Sequence, residues 1–388
     1  MNNFYFYNPT KVLFGREMLP GMNKEMSGYK KILFLYGRGS IKKNGVYEKV
    51  LKVLEDNNFK YAEFGDVEPN PDYATCMKAV EFARQNGVDF ILAAGGGSVM
   101  DAAKFIAISY YCEGLDPWLV VTQKTAPPPK ALPVGCVVTA PGTGSQTNGA
   151  LVLSRREVKQ KAAFSHISLY PKFSVLEPDF TFSLPPHQTA LGIVDTTVHV
   201  LEQYVTYPTY SPLQDRQAEA ILSTLIEAGK PVLERPDDYD LRSTIMWCSS
   251  QALNGVLSRG TVCDWATHEI GHLLTAIWDI PHAQTLAIVL GGVYRSQFDH
   301  KLTKLAQYGR RVWGLNGSDV EAAKESIDRT ESFFEGLGIK TRLSSLGLDA
   351  ADVVREVRHY LETVDFKNLG EHKNIDAGTV CEILAQRG

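Results

Sequence analysis

A chain of 388 residues, 44% hydrophobic, 10% aromatic and 22% charged, is long enough for two ordinary domains or one very large one and too apolar for intrinsic disorder. Lys and Arg total 40 against 44 Asp and Glu, a net charge of −4, so no basic field recruits nucleic acid. The longest apolar stretches (91–94 and 285–290) fall far short of the roughly 18 residues of a membrane span, and MNNFYFYNPT lacks the basic and apolar regions of a secretory signal.

In chain order, KILFLYG (31–37) is a near-continuous apolar run, which predicts a strand buried on both faces. Asn44 then caps a helix in GVYEKVLKVLEDN, where Val46, Val50, Leu51 and Leu54 recur at helical spacing. A second strand, KYAEFG (60–65), is followed by the Pro-broken EPNPDY and a helix over 73–86. DFILAA (89–94) predicts a third strand that runs into Gly95-Gly96-Gly97-Ser98 and another helix. LPVGCVVTA (132–140), GALVLS (149–154) and KFSVLEP (172–178) supply further strands. Strand, turn and helix in repetition imply a parallel sheet with right-handed crossovers. From Pro185-Pro186 onward the texture changes to long amphipathic stretches such as TALGIVDTTVHVLEQYV and SPLQDRQAEAILSTLIEAG. Turn signals at Pro231, Pro236 and Asn316-Gly317 separate them. The expected architecture is an α/β domain over 1–184 followed by an all-helical domain over 185–388. The six cysteines (76, 112, 136, 248, 263, 381) show no CxxC and no disulfide framework, and read as reduced thiols of a cytoplasmic protein.

Three glycine loops carry the first functional signal. Gly37-Arg38-Gly39-Ser40, GGGS at 95–98 and PGTGSQTN at 141–148 each follow a predicted strand. In an open parallel sheet these carboxyl ends lie along one edge, where an extended ligand such as a dinucleotide binds. Free backbone N–H groups and a helix dipole attract its phosphates. GRGSIK lacks the third glycine of G-x-G-x-x-G, and GGGSVMD does not match a P-loop. No Asp or Glu near the first loop is placed to hold a ribose 2′-hydroxyl, whereas Arg38, Ser40, Lys42 and Lys43 cluster there. That balance favours a 2′-phosphate, hence NADP over NAD.

The second signal lies in the helical half. Asp195 and His199, four apart, project from one helix face, and three of the nine histidines (His268, His272 and His282) fall within HEIGHLLTAIWDIPH. Carboxylate and imidazole donors suit a divalent ion such as zinc or iron(II). His268-Glu269-Ile270-Gly271-His272 also matches the HExxH of zinc peptidases, but Thr275 and Trp278 stand where the extended motif needs glycine and histidine, and the glycine loops would have no purpose. Residue pattern alone leaves the ion and its ligand set open.

Together, YGRGSIKKNGVY (36–47), EPNP (68–71), GGGSVMDAAKF (95–105), TGS (143–145), VDTTVHVLEQYVT (194–206), and DWATHEIGHLLTA with DIPHAQTLAIVL (264–290) carry a family resemblance. The chain resembles the iron-containing (group III) alcohol dehydrogenases over nearly its whole length, and within them the NADP-dependent butanol dehydrogenase and aldehyde reductase branch. The resemblance implies the dehydroquinate synthase-like fold, an N-terminal dinucleotide-binding domain followed by an all-helical, metal-binding domain. It implies Asp195, His199, His268 and His282 as ligands of one divalent metal, Fe(II) or Zn, and His272 as an active-site histidine beside the substrate. Cofactor contacts are implied for Gly37, Gly39, Ser40, Asn70, Gly96, Gly97, Ser98, Asp101, Thr139, Ser145 and Lys161, with Lys161 placed for the adenosine phosphate. In two departures, Arg38 replaces the middle glycine of the first loop, where it can pair with a 2′-phosphate, and Gln146 replaces the usual Glu.

The expected reaction is hydride transfer between NADP(H) and small, butanal-like aldehydes or primary alcohols, mainly as aldehyde reduction. The metal polarises the carbonyl and His272 relays a proton. Trp118, Trp265 and Trp278 are candidates for an apolar pocket, though core packing is the ordinary role of each. The resemblance suggests a homodimer; FYFYNP at the N-terminus either adds an edge strand across its interface or packs at the start of the first domain. Two rivals remain: an NAD-dependent enzyme of the glycerol dehydrogenase type, with an Asp-plus-two-His ligand set, and a non-catalytic nucleotide sensor.

Overall fold

Strands that are apolar at every position need cover on both faces, and the alternation of their side chains decides which residue faces which core. The computed structural model describes all 388 residues and contains eight strands: β1 (Lys11–Phe14), β2 (Lys31–Gly37), β3 (Lys60–Val67), β4 (Phe90–Gly96), β5 (Val134–Ala140), β6 (Ala150–Arg155), β7 (Gln160–Ser165) and β8 (Phe173–Leu176). Six form one sheet in the order β1-β8-β5-β4-β2-β3, with every neighbouring pair parallel. On one face Leu33, Leu35, Ile91, Ala93, Cys136 and Val138 pack under the helices Tyr73–Asn86 and Gly97–Ser109. On the other, Ile32, Phe34, Phe90, Leu92 and Val137 pack under the helix Val46–Asp56.

Local chemistry fixes the helix starts. The Asp72 carboxylate accepts from Ala74 N at the head of Tyr73–Asn86; Asn44, expected to cap the helix Val46–Asp56, accepts from Val46 N but stands one residue before the N-cap, which is Gly45 with φ of 77°. The chain runs from β2 outward to β3 and returns to β4 on the opposite side of β2. This reversal places the loops after β2, β4 and β5 at the carboxyl ends of adjacent strands.

The structure departs from the sequence expectation in three places. β1 and β7 are strands the apolar pattern did not single out, being short (KVLF) or polar (QKAAFS). β6 leaves the parallel sheet and forms an antiparallel hairpin with β7; Ser154 N donates to Pro71 O at 2.9 Å, docking it on the EPNP turn. Pro231 does not separate helices but lies inside Pro212–Glu234, where it gives up the N–H that would bond to Glu227 O, and the helix ends three residues later. The chain forms two compact units, Tyr7–Pro185 with Arg235–Asn254 and Met1–Phe6 with Pro186–Glu234 and Gly255–Gly388. The helix Tyr239–Ala252 joins the sheet unit because Met246 enters its core, Trp247 packs edge-on against Phe14, and Ser249 Oγ accepts from Gly142 N at 2.7 Å.

The helical unit holds the helices Pro186–Tyr204, Pro212–Glu234, Ala266–Trp278, His282–Ser296, Phe298–Val312, Asp319–Gly336, Ala350–Thr363 and Ala377–Ala385. Its last residues are tied in by a buried cluster. Glu331 accepts from Arg295 (2.9 Å), Arg342 (3.1 Å) and Arg387, which is 1% exposed and also donates to Ile288 O and Thr341 O. Burial pushes the Glu331 carboxyl up, but hydrogen bonds from Arg295 and Arg342 and the Arg387 charge overcome it and hold it at about 2. Because that lies below the ordinary value of 4.5, the stabilisation is complete above pH 4.5 and is lost as pH falls towards 2. Glu331→Gln therefore costs about 3 kcal/mol at neutral pH by stranding buried guanidinium charge. In denaturant titrations the gap to wild type shrinks between pH 4.5 and 2; a gap independent of pH contradicts this.

Candidate metal and cofactor sites

Asp195, His199 and Glu202 follow one another at i, i+4 and i+7 on the helix Pro186–Tyr204, so all three line one stripe. His268 and His272 occupy the helix Ala266–Trp278, and His282 opens the next one, directly after Pro281. These last two helices approach closely at Gly271, where a Cβ would lie 2.8 Å from Thr285 Oγ1. That hydroxyl donates to His282 O at 2.7 Å, fixing the first turn that carries His282.

The helices bring Asp195, His268 and His282 together so that one donor atom from each lies within 4.8 Å of the others. Asp195 Oδ1 stands 4.0 Å from both His268 Nε2 and His282 Nε2, and 3.6 Å from His199 Nδ1. The His199 ring stacks on His268 with centroids 4.6 Å apart. Asp195 Oδ1 is buried with no hydrogen-bond partner, which fits an oxygen whose lone pairs would take a cation. One carboxylate with imidazoles fits iron(II) or zinc. His272 lies beside the group, its ring 5.1 Å from His282 and edge-on to His268. Of the two histidines of the HExxH pattern, His268 joins the group with Asp195 and His282 and His272 does not, and Glu269 is exposed.

Sequence reasoning missed Glu202, which is fully buried against His268. The signal was present, since Glu202 lies on the Asp195/His199 stripe, but nothing in VDTTVHVLEQ shows which of its polar residues turns inward. Burial, and then the nearby Asp264 carboxylate, push Glu202 up to about 8, while the Thr267 N–H and His199 pull it down. A divalent cation held by the adjacent donors would lower it and favour the carboxylate. Of the three tryptophans, Trp265 lies edge-on to His199 and His268, Trp118 packs against Tyr73 in the sheet unit, and Trp278 is half-buried.

In the sheet unit Gly37, Arg38, Gly39 and Ser40 follow β2, with Arg38 and Ser40 exposed. Gly96, Gly97 and Ser98 pass from β4 into the helix Gly97–Ser109, and Thr139 lies buried near the end of β5. The second and third loops touch: a Cβ on Gly97 would come 2.3 Å from Thr143 Cγ2. Asn70 and Lys161 also meet, Lys161 Nζ donating to Asn70 Oδ1 at 3.1 Å.

Asp101 and Ser145 have their side chains turned inward. Asp101 accepts from Ser145 Oγ (2.7 Å) and Val152 N (3.0 Å). The fully buried Lys104 donates to Ser145 O, Ser145 Oγ, Asn148 Oδ1 and Ala150 O at 2.6–3.2 Å. Gln146 donates to Ser250 Oγ at 2.9 Å, so the residue that departs from the family's Glu is a buried anchor of the third loop. Burial pushes Lys104 down to about 8 and raises Asp101, each opposing the other's shift. These side chains shape the loop from within.

The profile described as "Iron-containing alcohol dehydrogenase" matches residues 9–178, and that described as "Fe-containing alcohol dehydrogenase family, C-terminal" matches residues 189–387. The chain belongs to the iron-containing alcohol dehydrogenase family. It is 45% identical to the NADPH-dependent aldehyde reductase YqhD of Escherichia coli over 97% of both chains. It is 39% identical to the NADH-dependent butanol dehydrogenase A of Clostridium acetobutylicum over 90% of both. The crystal structure of E. coli YqhD superposes with a TM-score of 0.97 at 43% identity, covering 100% of this chain and 99% of that one. The NADH-dependent butanol dehydrogenase A of Thermotoga maritima gives a TM-score of 0.96 at 33% identity, with the same coverage.

Lys104→Met removes the cation under the third loop and strands several buried acceptors. It should lower stability by about 2–4 kcal/mol and speed hydrogen exchange of the 141–148 amides more than that of β2. Unchanged exchange in the loop contradicts the anchoring role.

Proposed function

We propose that the protein is an NADP(H)- and metal-dependent reductase of small aldehydes of the butanal class that also oxidises the corresponding primary alcohols. The observation that carries this reading is the convergence of Asp195, His268 and His282, with His199 beside them. Asp195, His199, His268 and His282 hold one iron(II) or zinc ion. When bound, the ion supplies Lewis-acid polarisation of the substrate carbonyl and the reduced nicotinamide supplies the hydride. The carboxylate cancels only part of the ion's charge, so the four side chains leave it electrophilic. His272, buried next to His282, delivers from an imidazole nitrogen the proton that the product oxygen requires.

The Gly37–Ser40, Gly96–Ser98 and 141–148 loops, with Thr139, receive the dinucleotide on backbone N–H groups. Asp101 and Ser145 hold the third loop in shape for it, and Asn70 and Lys161 together reach its adenosine phosphates. Relatives of both cofactor types exist, so the choice of NADP rests on this chain's residues. Arg38 is exposed at the first loop, with Ser40, Lys42 and Lys43 following it, a set that favours a 2′-phosphate.

Phe4, Tyr5, Phe6 and Tyr7 are exposed, Tyr5 at 95%, and lead into the edge strand β1. That run supports a homodimer joined through this segment. Five of the six cysteines are buried, and no helix is long and apolar enough to cross a membrane, which suits a cytoplasmic place.

The test is butanal-dependent NADPH oxidation by metal-stripped protein before and after addition of iron(II) or zinc. Activity should vanish on stripping and return with metal; turnover that ignores the metal overturns the reading. His272→Ala should lower kcat by about 10²–10⁴-fold with metal content unchanged. Arg38→Ala should raise the KM for NADPH about tenfold and leave that for NADH nearly unchanged, since only the 2′-phosphate loses a charged hydrogen bond. Equal effects on both cofactors exclude Arg38 as the discriminating residue.

A further inference from the structure

We propose that Glu202 is the positioning residue of the metal centre, a carboxylate that fixes both the ring tautomer of His268 and the first turn of the helix bearing it. The inference rests on the metal-centre reading above and concerns a residue that does not itself reach the ion. Glu202 Oε1 accepts from Thr267 N at 2.7 Å, and Oε2 pairs with His268 Nδ1. With the proton held on Nδ1, the lone pair of His268 Nε2 is free to point at a metal, and Nε2 is the atom that faces Asp195 Oδ1. The carboxylate also lies at the N-terminus of the thirteen-residue helix Ala266–Trp278, where negative charge is favoured.

The surroundings pin the same turn from behind. Trp265, just before the helix, has φ of 62°, a left-handed conformation that a bulky side chain rarely adopts. Asp264 holds it in place: Asp264 Oδ1 accepts from Ala266 N (2.8 Å), and Asp264 N donates to Glu202 O (2.9 Å). Lys301, 1% exposed, donates to Asp264 Oδ2 (2.8 Å), Glu371 Oε1 (3.0 Å) and Val205 O (2.8 Å). Ala266, Thr267 and His268 are thus held in succession, and Glu202 makes the last two of those contacts.

Only a carboxylate satisfies this site, because two donors converge on it. A glutamine of the same shape can accept from one of them. Its NH2 then opposes either the Thr267 N–H, loosening the turn, or His268 Nδ1, favouring the tautomer with hydrogen on Nε2 and removing the lone pair from the metal side.

The experiment measures zinc affinity by competition with a chromogenic chelator for wild type, Glu202→Gln, His268→Ala and the double variant. Glu202→Gln should weaken zinc binding by about 10–100-fold. In the His268→Ala background the same substitution should change affinity by less than about twofold, because the path through the ring is gone. Equal loss in both backgrounds means a general structural role and overturns the proposal, as does unchanged affinity of the single variant. Wild-type protein that binds no zinc overturns the metal-centre reading instead. Should Glu202→Gln fail to fold, ¹⁵N-histidine spectra of the zinc-loaded wild type decide. A downfield-shifted proton on His268 Nδ1 supports the proposal, and a proton on Nε2 overturns it.

Discussion

A buried carboxylate oxygen without a hydrogen bond is the constraint on which the helical unit turns. Leaving Asp195 Oδ1 out of water costs free energy that a nearby cation returns, and the three imidazole-bearing segments are arranged around it. The close approach at Gly271, the Pro281 junction and the strained Trp265 backbone serve one end, the placing of imidazole nitrogens from separate helices within reach of that oxygen. Such geometry cannot come from a single helix, because His268 and His272 on one face are set by helical spacing and only His268 belongs to the donor group.

The sheet unit solves a different problem by the same means. A dinucleotide has two phosphates and few apolar handles, so it is best received on backbone N–H groups, and those require loops of fixed shape. Buried side chains supply the rigidity: Lys104 and Asp101 beneath the third loop, Ser249 and Ser250 from the helix Tyr239–Ala252 beside it, and Thr143 packed on Gly97. Among the residues quoted with the family motif, Asp101 and Ser145 thus have side chains that hold the loop.

Much of this was legible in the sequence where the physics is local. β2 forms where its apolar run placed it, the helix over 73–86 follows the Pro-broken EPNPDY as expected, and the three glycine loops follow the strands that were expected to precede them. What could not be read depends on partners far along the chain. β7 is polar because it pairs in a hairpin rather than in the core, and the helix Tyr239–Ala252 looks like any other amphipathic helix until its contacts with 142–146 are seen. Pro231 marks a break by composition, yet it lies inside a helix. The inward turn of Asp101, Ser145 and Glu202 is likewise set by tertiary neighbours, and residue type alone cannot separate a ligand from the side chain that positions one.

The central claim is that Asp195, His199, His268 and His282 together bind one ion, with His272 beside them but outside its coordination. X-ray absorption at the zinc edge of the zinc-loaded protein tests it most directly, because imidazole rings leave a countable scattering signature. The account predicts three imidazoles and one carboxylate in wild type, two imidazoles in His199→Ala and three in His272→Ala. Two imidazoles in wild type with no change in His199→Ala, or a ring lost in His272→Ala, would contradict it.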